Sequence, residues 1–234
     1  MRQNAEMIAS LSKNTPLIAD ADTGYGGPIM VARTVEQYAR SGVAGLHIED
    51  QVQTKRCGHL AGKILVDTET YLSRIRAAVQ QRKKIGSDIV IIARTDALQK
   101  YGYEESVARL RAARDAGADV GFPEGIRSIA EAQQLVADLA PWPVLLNMVE
   151  HSVTPSMSAS EAKSLGFRIM IVPLATMSPV YGALKNSLQE LKYTGIPNTE
   201  FSPQQLFRVC GLDESVKIEE EAGSANFEGG VDQK

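Results

Sequence analysis

Cysteine is scarce in this chain: there are two in 234 residues, Cys57 and Cys210, far apart and without the spacing of a metal site. Neither a disulfide framework nor a zinc site is indicated, and a reducing environment is the simplest interpretation. Aromatic residues make up 6% of the chain and the formal net charge is -3. Because lysine and arginine are scattered, no basic stripe suggests nucleic-acid binding. No run of about 18 apolar residues predicts a membrane span.

The first residues lack the order of basic, apolar and small residues that is typical of a secretory signal. We therefore expect a cytoplasmic protein, with the mitochondrion left open because residues 1 to 8 have the pattern of a helix interior rather than of a domain start. With 44% hydrophobic and 23% charged residues, the chain has the composition of a globular protein with one sizeable core.

A short apolar run rich in valine and isoleucine, followed by an amphipathic helix, recurs six times between about residues 16 and 193. This alternation predicts a parallel sheet covered by helices. The predicted strands are residues 16–20, 45–49, 88–93, 119–122, 143–146 and 168–172. Helices are predicted over 28–41, from Asp67 to about 86, from Ser128, from Ser158 to Gly166, from Pro179 with Ser178 as N-cap, and from Ser202 to Gly211.

Six such units are two fewer than a closed eight-stranded barrel requires. We expect an α/β, TIM-type (β/α)8 barrel over residues 1–193 that lacks its first two βα units. A helical extension over residues 194–234 should follow, poorly ordered from residue 223. Three explanations fit: a fragmentary gene product, a truncated paralogue that no longer catalyses, or a chain whose gap is covered by its own tail or by another subunit.

Polar residues stand where the apolar runs stop, and we expect them to share one site. They are Asp20, Asp22, Glu49, Asp50, Arg94, Asp96, Glu124 and Asn147. The carboxyl ends of parallel strands meet at one edge, where barrel proteins assemble their active sites. Each residue alone could be a turn former or a helix cap, but that interpretation is much weaker for the whole set.

A second motif follows the strand predicted at 45–49. It consists of Lys55, Arg56, Cys57, Gly58 and His59. A thiol flanked by two cations and an imidazole can exchange a proton near neutral pH, which indicates an enzyme. The pentapeptide closely resembles the Lys-Lys/Arg-Cys-Gly-His signature of the isocitrate lyase and phosphoenolpyruvate mutase superfamily.

The segment from Asp20 to Gly26 resembles the Asp-x-Asp-x-Gly-Tyr/Phe-Gly motif of the same superfamily. This resemblance implies that Asp20, Asp22 and Glu49 hold Mg²⁺ partly through waters, with Mn²⁺ as an alternative. Magnesium suits such residues because it prefers oxygen ligands and keeps much of its hydration shell. Glycines 24, 26 and 27 would let the backbone pass close to a small ligand.

The resemblance also implies roles for the remaining candidates. Cys57 would protonate the enolate-like fragment that carbon–carbon cleavage releases, and Lys55, Arg56 and His59 would stabilise its negative charge. The substrate-binding residues would be Arg94, Glu124, Asn147, Gly58 and Pro173. Arginine can bind a carboxylate through two hydrogen bonds. His47, within an apolar strand, is predicted to be a core residue.

The chain resembles the short branch of the superfamily, which contains 2-methylisocitrate lyase, 2,3-dimethylmalate lyase and oxaloacetate acetylhydrolase. The stretch from Gln51 to His59 and the Gly-Leu-Asp-Glu-Ser tail look most like the fungal members. Hydrolase members carry a serine where this chain has Pro173. Cleavage of a branched 2-hydroxy dicarboxylate or tricarboxylate is therefore favoured over oxaloacetate hydrolysis, and the general base is not identified.

Members of this superfamily use C-terminal helices to pack against a neighbouring subunit. The resemblance therefore implies a homotetramer, a dimer of dimers with C-terminal helix exchange. An inactive paralogue that associates with a longer relative is the alternative from another class. This chain is expected to be weakly active or inactive, whereas a version extended upstream by about 70 to 100 residues would be competent, given roughly 30 residues per βα unit plus a leading helix.

Overall fold

A computed structural model describes residues 1–12, 14–57, 60–197 and 199–224. Six strands lie within these ranges, and each overlaps one of the predicted runs. They are β1 (Ile18–Asp20), β2 (Gly45–Glu49), β3 (Val90–Thr95), β4 (Val120–Pro123), β5 (Leu145–Asn147) and β6 (Ile169–Ile171). β2 matches its prediction at both ends, because its five buried residues end on Glu49 and are followed directly by a second acid, Asp50.

The named strands pair in parallel, as the sequence predicts. One sheet has the order β1-β2-β3-β4, and β5 pairs with β6. A parallel bridge between Gly121 and Val144 links β4 to the residue before β5. The register sets Glu49 beside Arg94, and Arg94 beside Phe122. Strand-end side chains from neighbouring strands therefore emerge at the same edge.

Ten helices lie within the same described ranges. They are α1 (Arg2–Ser10), α2 (Pro28–Arg40), α3 (Thr68–Lys84), α4 (Ala97–Lys100), α5 (Tyr103–Asp115), α6 (Ile129–Leu139), α7 (Ala159–Leu165), α8 (Met177–Thr194), α9 (Pro203–Val209) and α10 (Leu212–Glu221). Six of these helices come next after a strand along the chain, which lets consecutive strands run parallel: α2, α3, α4, α6, α7 and α8.

Side-chain caps begin several of these helices. Asp67, Ser128 and Ser158 precede α3, α6 and α7, and each accepts a hydrogen bond from the backbone N–H three residues on. Such a cap typically stabilises a helix by about 1 kcal/mol because it satisfies a donor that has no partner within the helix. Gly166 ends α7 with a left-handed φ of 103°, which glycine adopts without strain. These predicted boundaries are confirmed.

The start of α8 differs from the prediction. The helix begins at Met177 with Thr176 as its N-cap, whereas the sequence predicted a start at Pro179 with Ser178 as the cap. Pro179 is the third residue of the helix, where the backbone N–H has no partner inside the helix. Proline in the first turn therefore breaks no hydrogen bond, and it does not mark the first helical residue.

Three apolar clusters lie within the described residues, and the two larger ones pack the strands against helices. The first joins β2 to α2 and α3 through buried residues that include Val35, Tyr38, Leu46, Tyr71 and Ile75. The second joins α5, α6 and β5, and its buried residues include Leu110, Leu135, Leu139, Leu146 and Phe167. Burial of one such side chain contributes about 1.5–3 kcal/mol. Packing on the helices thus fixes the strands whose ends carry the polar residues.

The chain divides into two compact units, Met1–Leu174 and Ala175–Lys234. The first contains the six strands and α1 to α7, and the second contains α8, α9 and α10. The boundary predicted after residue 193 stays a prediction, and most of the end predicted to be poorly ordered lies outside the described residues. Within the described ranges, none of the helices combines the length and apolar character that a membrane crossing requires.

Candidate active site

The acidic residues after β1 are fixed by backbone hydrogen bonds. The Asp22 N–H donates to Asp20 Oδ1 at 2.7 Å, and the Glu49 N–H donates to the Asp22 carbonyl at 2.8 Å. Asp22 has a left-handed φ of 48°, a conformation that aspartate tolerates better than most residues. The turn after β1 thereby places the predicted metal ligands Asp22 and Glu49 next to each other.

The glycines of this turn serve packing on α2. A Cβ added to Gly24, which has a φ of 86°, would lie 2.4 Å from Val31 Cγ2. At Gly26 it would lie 2.9 Å from Met30. At these two positions a side chain would therefore collide with helix α2, and the predicted approach of the backbone to a ligand stays a prediction. Gly27 is the N-cap of α2, in extended conformation.

Glu49 is completely buried at the end of β2. Neither carboxylate oxygen has a hydrogen-bond donor among the described residues, although Lys55 Nζ forms an ion pair with Oε1 at 3.0 Å, outside hydrogen-bond alignment. Burial raises the pKa of Glu49 to about 7, and the positive charges of Arg94 and Lys55 oppose part of that shift. A buried carboxylate with unused acceptors is suited to binding a cation.

Lys55 connects the cysteine motif to the acidic residues. Its Nζ lies 2.7 Å from Asp22 Oδ1 and 3.0 Å from Glu49 Oε1. Partial burial acts to lower the pKa of Lys55, but the hydrogen bond to Asp22 and the charge of Glu49 outweigh it and the net shift is upward. The ammonium ion therefore stays protonated between two acids, as the predicted role requires.

His47 lies in β2 and is largely buried, as predicted for a core residue. Its Nδ1 is 3.4 Å from Asp20 Oδ1, and its ring meets Phe122 edge-on at a centroid distance of 5.4 Å. Burial lowers the pKa of His47 to about 4, and the charge of Asp20 opposes part of this shift. The imidazole is thus neutral and packs beside the acidic turn.

Arg94, at the end of β3, is the cation around which the buried acids gather. Its Nε lies 3.5 Å from Glu49 Oε2 and 3.3 Å from Asp96 Oδ2, and its Nη2 lies 3.7 Å from Glu124 Oε2. Its guanidinium stacks over the Phe122 ring at 5.0 Å. Burial acts to lower the pKa of Arg94, but the surrounding acids outweigh it and raise it. The residue remains charged and available to an anionic ligand.

Glu124 and Asn147 extend the site toward β5. Asn147 Nδ2 donates to Glu124 Oε2 at 3.0 Å, and both residues are buried. Asn147 Oδ1 has no hydrogen-bond donor among the described residues. Pro173 is exposed in the turn after β6. A series of contacts therefore runs from the acids after β1 to Asn147, whereas none of the contacts found in the described chain attaches Pro173 to it.

The cysteine loop, defined here as residues 52 to 57, carries the candidate thiol. Cys57 is exposed and free. Arg56 Nη1 donates to the Ala61 carbonyl at 3.2 Å, so this guanidinium bonds within its own segment. Gly58 and His59 lie outside the described residues. The catalytic roles of Arg56, Cys57 and His59 and the substrate contact of Gly58 stay predictions.

Asp50 was grouped with the site by its position after β2, but its contacts are structural. The buried carboxylate accepts the Thr95 hydroxyl at 2.6 Å, the Asp96 N–H at 2.9 Å and Arg109 Nη1 at 3.1 Å. Burial raises the pKa of Asp50, and the hydrogen bonds from Asp96 and Thr95 oppose that shift. Asp50 thus ties the end of β2 to β3 and α5.

Two further residues contact Asp96, and the sequence analysis did not assign either of them to the site. Gln51 Nε2 donates to Asp96 Oδ2 at 3.2 Å, and Lys63 Nζ donates to Asp96 Oδ1 at 2.7 Å. Both residues flank the cysteine loop in sequence and both are buried. The sequence shows a glutamine and a lysine on either side of a polar loop. It does not show that both side chains are buried or that they share Asp96 as a partner.

The acids of the site do not by themselves form a direct metal cage. In the described part of the chain, no three histidine, cysteine, aspartate or glutamate side chains converge as ligands of one ion. The oxygen-only set of Asp20, Asp22 and Glu49 nevertheless suits a hard cation that retains waters, and the unused oxygens of Glu49 offer direct contacts. These residues fit magnesium bound largely through its hydration shell.

Parallel strands with acids, an arginine and an amide at their carboxyl ends define the class of α/β proteins, barrels among them, that assemble their sites at this edge. The chain belongs to the phosphoenolpyruvate phosphomutase family, whose model matches residues 1–192. The resemblance stated from the sequence is thereby confirmed.

Solved structures of two named enzymes are similar to the whole chain. A crystal structure of 2,3-dimethylmalate lyase, a PEP mutase/isocitrate lyase superfamily member, is 69% identical with a TM-score of 0.95, covering 100% of this chain and 78% of that one. A structure of oxaloacetate acetylhydrolase with the inhibitor 3,3-difluorooxalacetate is 56% identical with a TM-score of 0.93, covering 97% and 77%. These neighbours are TIM-type barrels, so the predicted fold class is confirmed.

The match to one curated relative covers a smaller share of that relative. The protein named probable 2-methylisocitrate lyase 2 of Corynebacterium glutamicum is 40% identical over 181 residues, which are 77% of this chain and 58% of that relative. The chain therefore spans less than two thirds of the length of that relative.

Proposed function

We propose that this chain is a magnesium-dependent carbon–carbon lyase. Its substrate would be a small branched 2-hydroxy dicarboxylate or tricarboxylate of the dimethylmalate or methylisocitrate type, cleaved to an α-oxo acid and a second carboxylate. The observation that carries the proposal is the contact of Lys55, from the cysteine loop, with both Asp22 and Glu49. This contact supports assigning the loop with the thiol and the acids of the predicted metal site to one active site.

The buried polar residues supply the binding part of the mechanism. Arg94 is charged and would bind a substrate carboxylate, because the neighbouring acids hold its guanidinium in place. Asn147 Oδ1, which lacks a donor among the described residues, would accept a hydrogen bond from the substrate hydroxyl. Glu124 would hold Asn147 in that orientation.

The cleavage step is a retro-aldol reaction. The substrate hydroxyl loses its proton to a base, its O–H electron pair forms the new carbonyl, and the bond between the hydroxyl-bearing carbon and its neighbour breaks. The released electron pair leaves on the second carboxylate fragment, which takes a proton from Cys57 Sγ. Lys55, two residues from that thiol, and Arg94 stabilise the negative charge as it develops.

A divalent cation would be held by Asp20, Asp22 and Glu49, partly through waters. When bound, such an ion polarises the carbonyl oxygen of the α-oxo acid. The absence of a hydrogen-bond donor to either Glu49 oxygen among the described residues supports this assignment. Magnesium is favoured over softer metals because every candidate ligand is an oxygen, and manganese is the alternative.

A direct test uses purified protein, Mg²⁺ and three substrates: 2,3-dimethylmalate, 2-methylisocitrate and oxaloacetate. Formation of an α-oxo acid from either of the first two, faster than oxalate forms from oxaloacetate, is the expected result. A matched reaction with EDTA measures the metal requirement. Absence of turnover with all three substrates, in this chain and in a version extended upstream by about 70 to 100 residues, would contradict the proposal.

Oxaloacetate acetylhydrolase activity, the hydrolysis of oxaloacetate to oxalate and acetate, is the second candidate. The 56% identity to a structure of that name favours it. Pro173 argues against it, because proline has no side-chain or backbone donor that could hydrogen-bond a hydrated keto group. Oxalate as the fastest product in the same experiment would favour the hydrolase.

The compartment predicted from the sequence stays a prediction.

We also propose a homo-oligomer, a dimer of dimers, formed through the second unit. Helix α8 has no buried residue in the described chain, yet it carries an apolar stripe. Its members are Tyr181 (68% exposed), Leu184 (58%), Leu188 (64%) and Leu191 (41%). Their spacing of three and four residues places them on one face, as an interface helix requires. In sedimentation velocity, Leu184→Glu with Leu188→Glu should dissociate the assembly, whereas Gln189→Glu should not.

A further inference from the structure

Gln51 stands at the base of the cysteine loop. It follows β2 by two positions and is fully buried despite its polar side chain. Its backbone pairs with Leu65 in an antiparallel bridge, and the Val52 N–H donates to the Ile64 carbonyl at 2.9 Å. The stretch of chain that leaves β2 and the stretch that returns toward α3 are therefore held together at Gln51.

The side-chain amide of Gln51 bonds to both backbone groups of Arg56. Oε1 accepts the Arg56 N–H at 3.1 Å, and Nε2 donates to the Arg56 carbonyl at 3.0 Å. The second N–H of Nε2 faces Asp96 Oδ2 at 3.2 Å. A flipped amide would set its oxygen against a carbonyl and a carboxylate, so the three contacts fix its orientation. Both donors and the acceptor of the amide are used.

Asp96 joins this amide to the substrate side of the site. Its Oδ1 accepts Lys63 Nζ at 2.7 Å, and its two oxygens lie 3.3 and 3.4 Å from Nε and Nη2 of Arg94. Burial acts to raise the pKa of Asp96, but Arg94 and Lys63 outweigh it and the net shift is downward. The charged carboxylate thus holds Gln51, Lys63 and Arg94 together.

We propose that Gln51 is a positioning residue that sets the backbone of Arg56 from the buried carboxylate of Asp96, and so places Lys55 and Cys57 on either side of it. Adjacent Cα atoms are about 3.8 Å apart, so a fixed Arg56 peptide restricts both neighbours. This inference rests on the proposed function, because it concerns the placement of residues that the proposed reaction uses. In this proposal the backbone of Arg56, rather than its guanidinium, contributes to the site.

The variant Gln51→Met tests the inference. Methionine is unbranched and of similar size, and it removes all three hydrogen bonds. The matched control is Gln81→Met on α3, where Gln81 Nε2 also donates to a carboxylate, Glu36 Oε2, at 2.8 Å. Gln81 lies near Ser87, which precedes β3, and therefore at the opposite end of the sheet from the site.

Residue-resolved amide hydrogen exchange is the readout that does not depend on activity. In Gln51→Met the Arg56 amide should exchange about tenfold or more faster, as expected for one lost hydrogen bond, and in Gln81→Met it should be unchanged. Unchanged exchange of Arg56 in Gln51→Met would overturn the inference. If that variant does not fold, exchange in the unaltered chain is the test. There the Arg56 amide should exchange about tenfold more slowly than the Lys55 amide, which has no acceptor among the described residues. Equal rates would overturn the inference.

Steady-state kinetics separates positioning from a general loss of structure. With the preferred 2-hydroxy acid, kcat of Gln51→Met should fall about 10- to 100-fold while KM changes less than about threefold, because Arg94 stays in place. An unchanged kcat, or an equal fall in Gln81→Met, would overturn the inference. If neither the unaltered chain nor its upstream-extended version turns over any of the three substrates, the proposed function fails, and the exchange of Arg56 then decides this inference by itself.

Discussion

The ammonium of Lys55 lies 2.7 Å from Asp22 Oδ1, so the cysteine loop is tied by charge to the turn after β1. These residues are 33 positions apart in sequence. The same ammonium is 3.0 Å from Glu49 Oε1. A cation supplied by the loop therefore compensates two acids of the predicted metal site, and the loop and the metal ligands depend on each other.

Lys55→Met should lower kcat/KM by about 100-fold or more, because the variant removes a charged donor from the developing negative charge and leaves Glu49 buried with one cation fewer. Lys55→Arg retains the charge and should recover part of the activity. Lys84→Met, at the exposed end of α3, serves as the control. Activity of Lys55→Met equal to that of the control would contradict the role given to this residue.

The two exposed cysteines allow a paired test of the thiol. Cys57→Ser should lower kcat by about 100- to 10,000-fold, since a hydroxyl is a much poorer proton donor to the carbanionic fragment. Cys210→Ser should leave kcat unchanged, because none of the hydrogen bonds and ion pairs of the described site involves that cysteine. Thermal unfolding of both variants checks that the fold persists. Retained turnover in Cys57→Ser would remove the thiol from the mechanism.

Strand ends and caps could be predicted because each depends on neighbours in sequence. β2 was placed from an apolar run that stops at Glu49, and α7 from the serine and glutamate spacing of Ser158 and Glu161. The shared site was predictable from the rule that parallel strands end at one edge. Gln51 is 45 residues from Asp96, and no local pattern encodes that contact. The catalytic role of Arg56 stays a prediction, and no local pattern encodes the hydrogen bond from its guanidinium to the Ala61 carbonyl.

Pro173→Ser tests the choice between lyase and hydrolase. A serine after β6 would supply a hydroxyl that can hydrogen-bond a hydrated keto acid, so the variant should increase oxalate formation from oxaloacetate relative to cleavage of dimethylmalate. The ratio of the two kcat/KM values is the measurement, with about a tenfold change as the expected size for one hydrogen bond. An unchanged ratio would show that this position does not select the reaction.

Magnesium should stabilise the folded chain as well as activate it. Binding to the folded state alone raises the melting temperature with increasing ion concentration. Thermal unfolding with and without roughly 10 mM Mg²⁺, a concentration that suits a weak oxygen site, should show this rise for the unaltered chain. Glu49→Gln should abolish the rise and Glu6→Gln, exposed on α1, should retain it. An equal rise in both variants would place the ion elsewhere.

Asp96 should make stability depend on acid pH. Burial acts to raise the pKa of Asp96, yet Arg94 and Lys63 outweigh it, so the folded-state pKa lies below the unfolded value of about 3.9. The unfolded chain then binds the proton more readily, and the stabilisation is present above about pH 4 and lost as the pH falls through the folded-state pKa.

Asp96→Asn should therefore lower the free energy of unfolding at pH 7 by about 3 kcal/mol, as for the loss of one member of a buried ion pair. Urea unfolding at pH 7 and toward pH 3 measures the difference between the variant and the unaltered chain, and that difference should shrink as the pH falls. Asp115→Asn, which removes an exposed partner of Arg114, should show little effect at either pH. A difference for Asp96→Asn that stays constant from pH 7 to pH 3 would mean that the carboxylate charge is not what holds Gln51, Lys63 and Arg94 together.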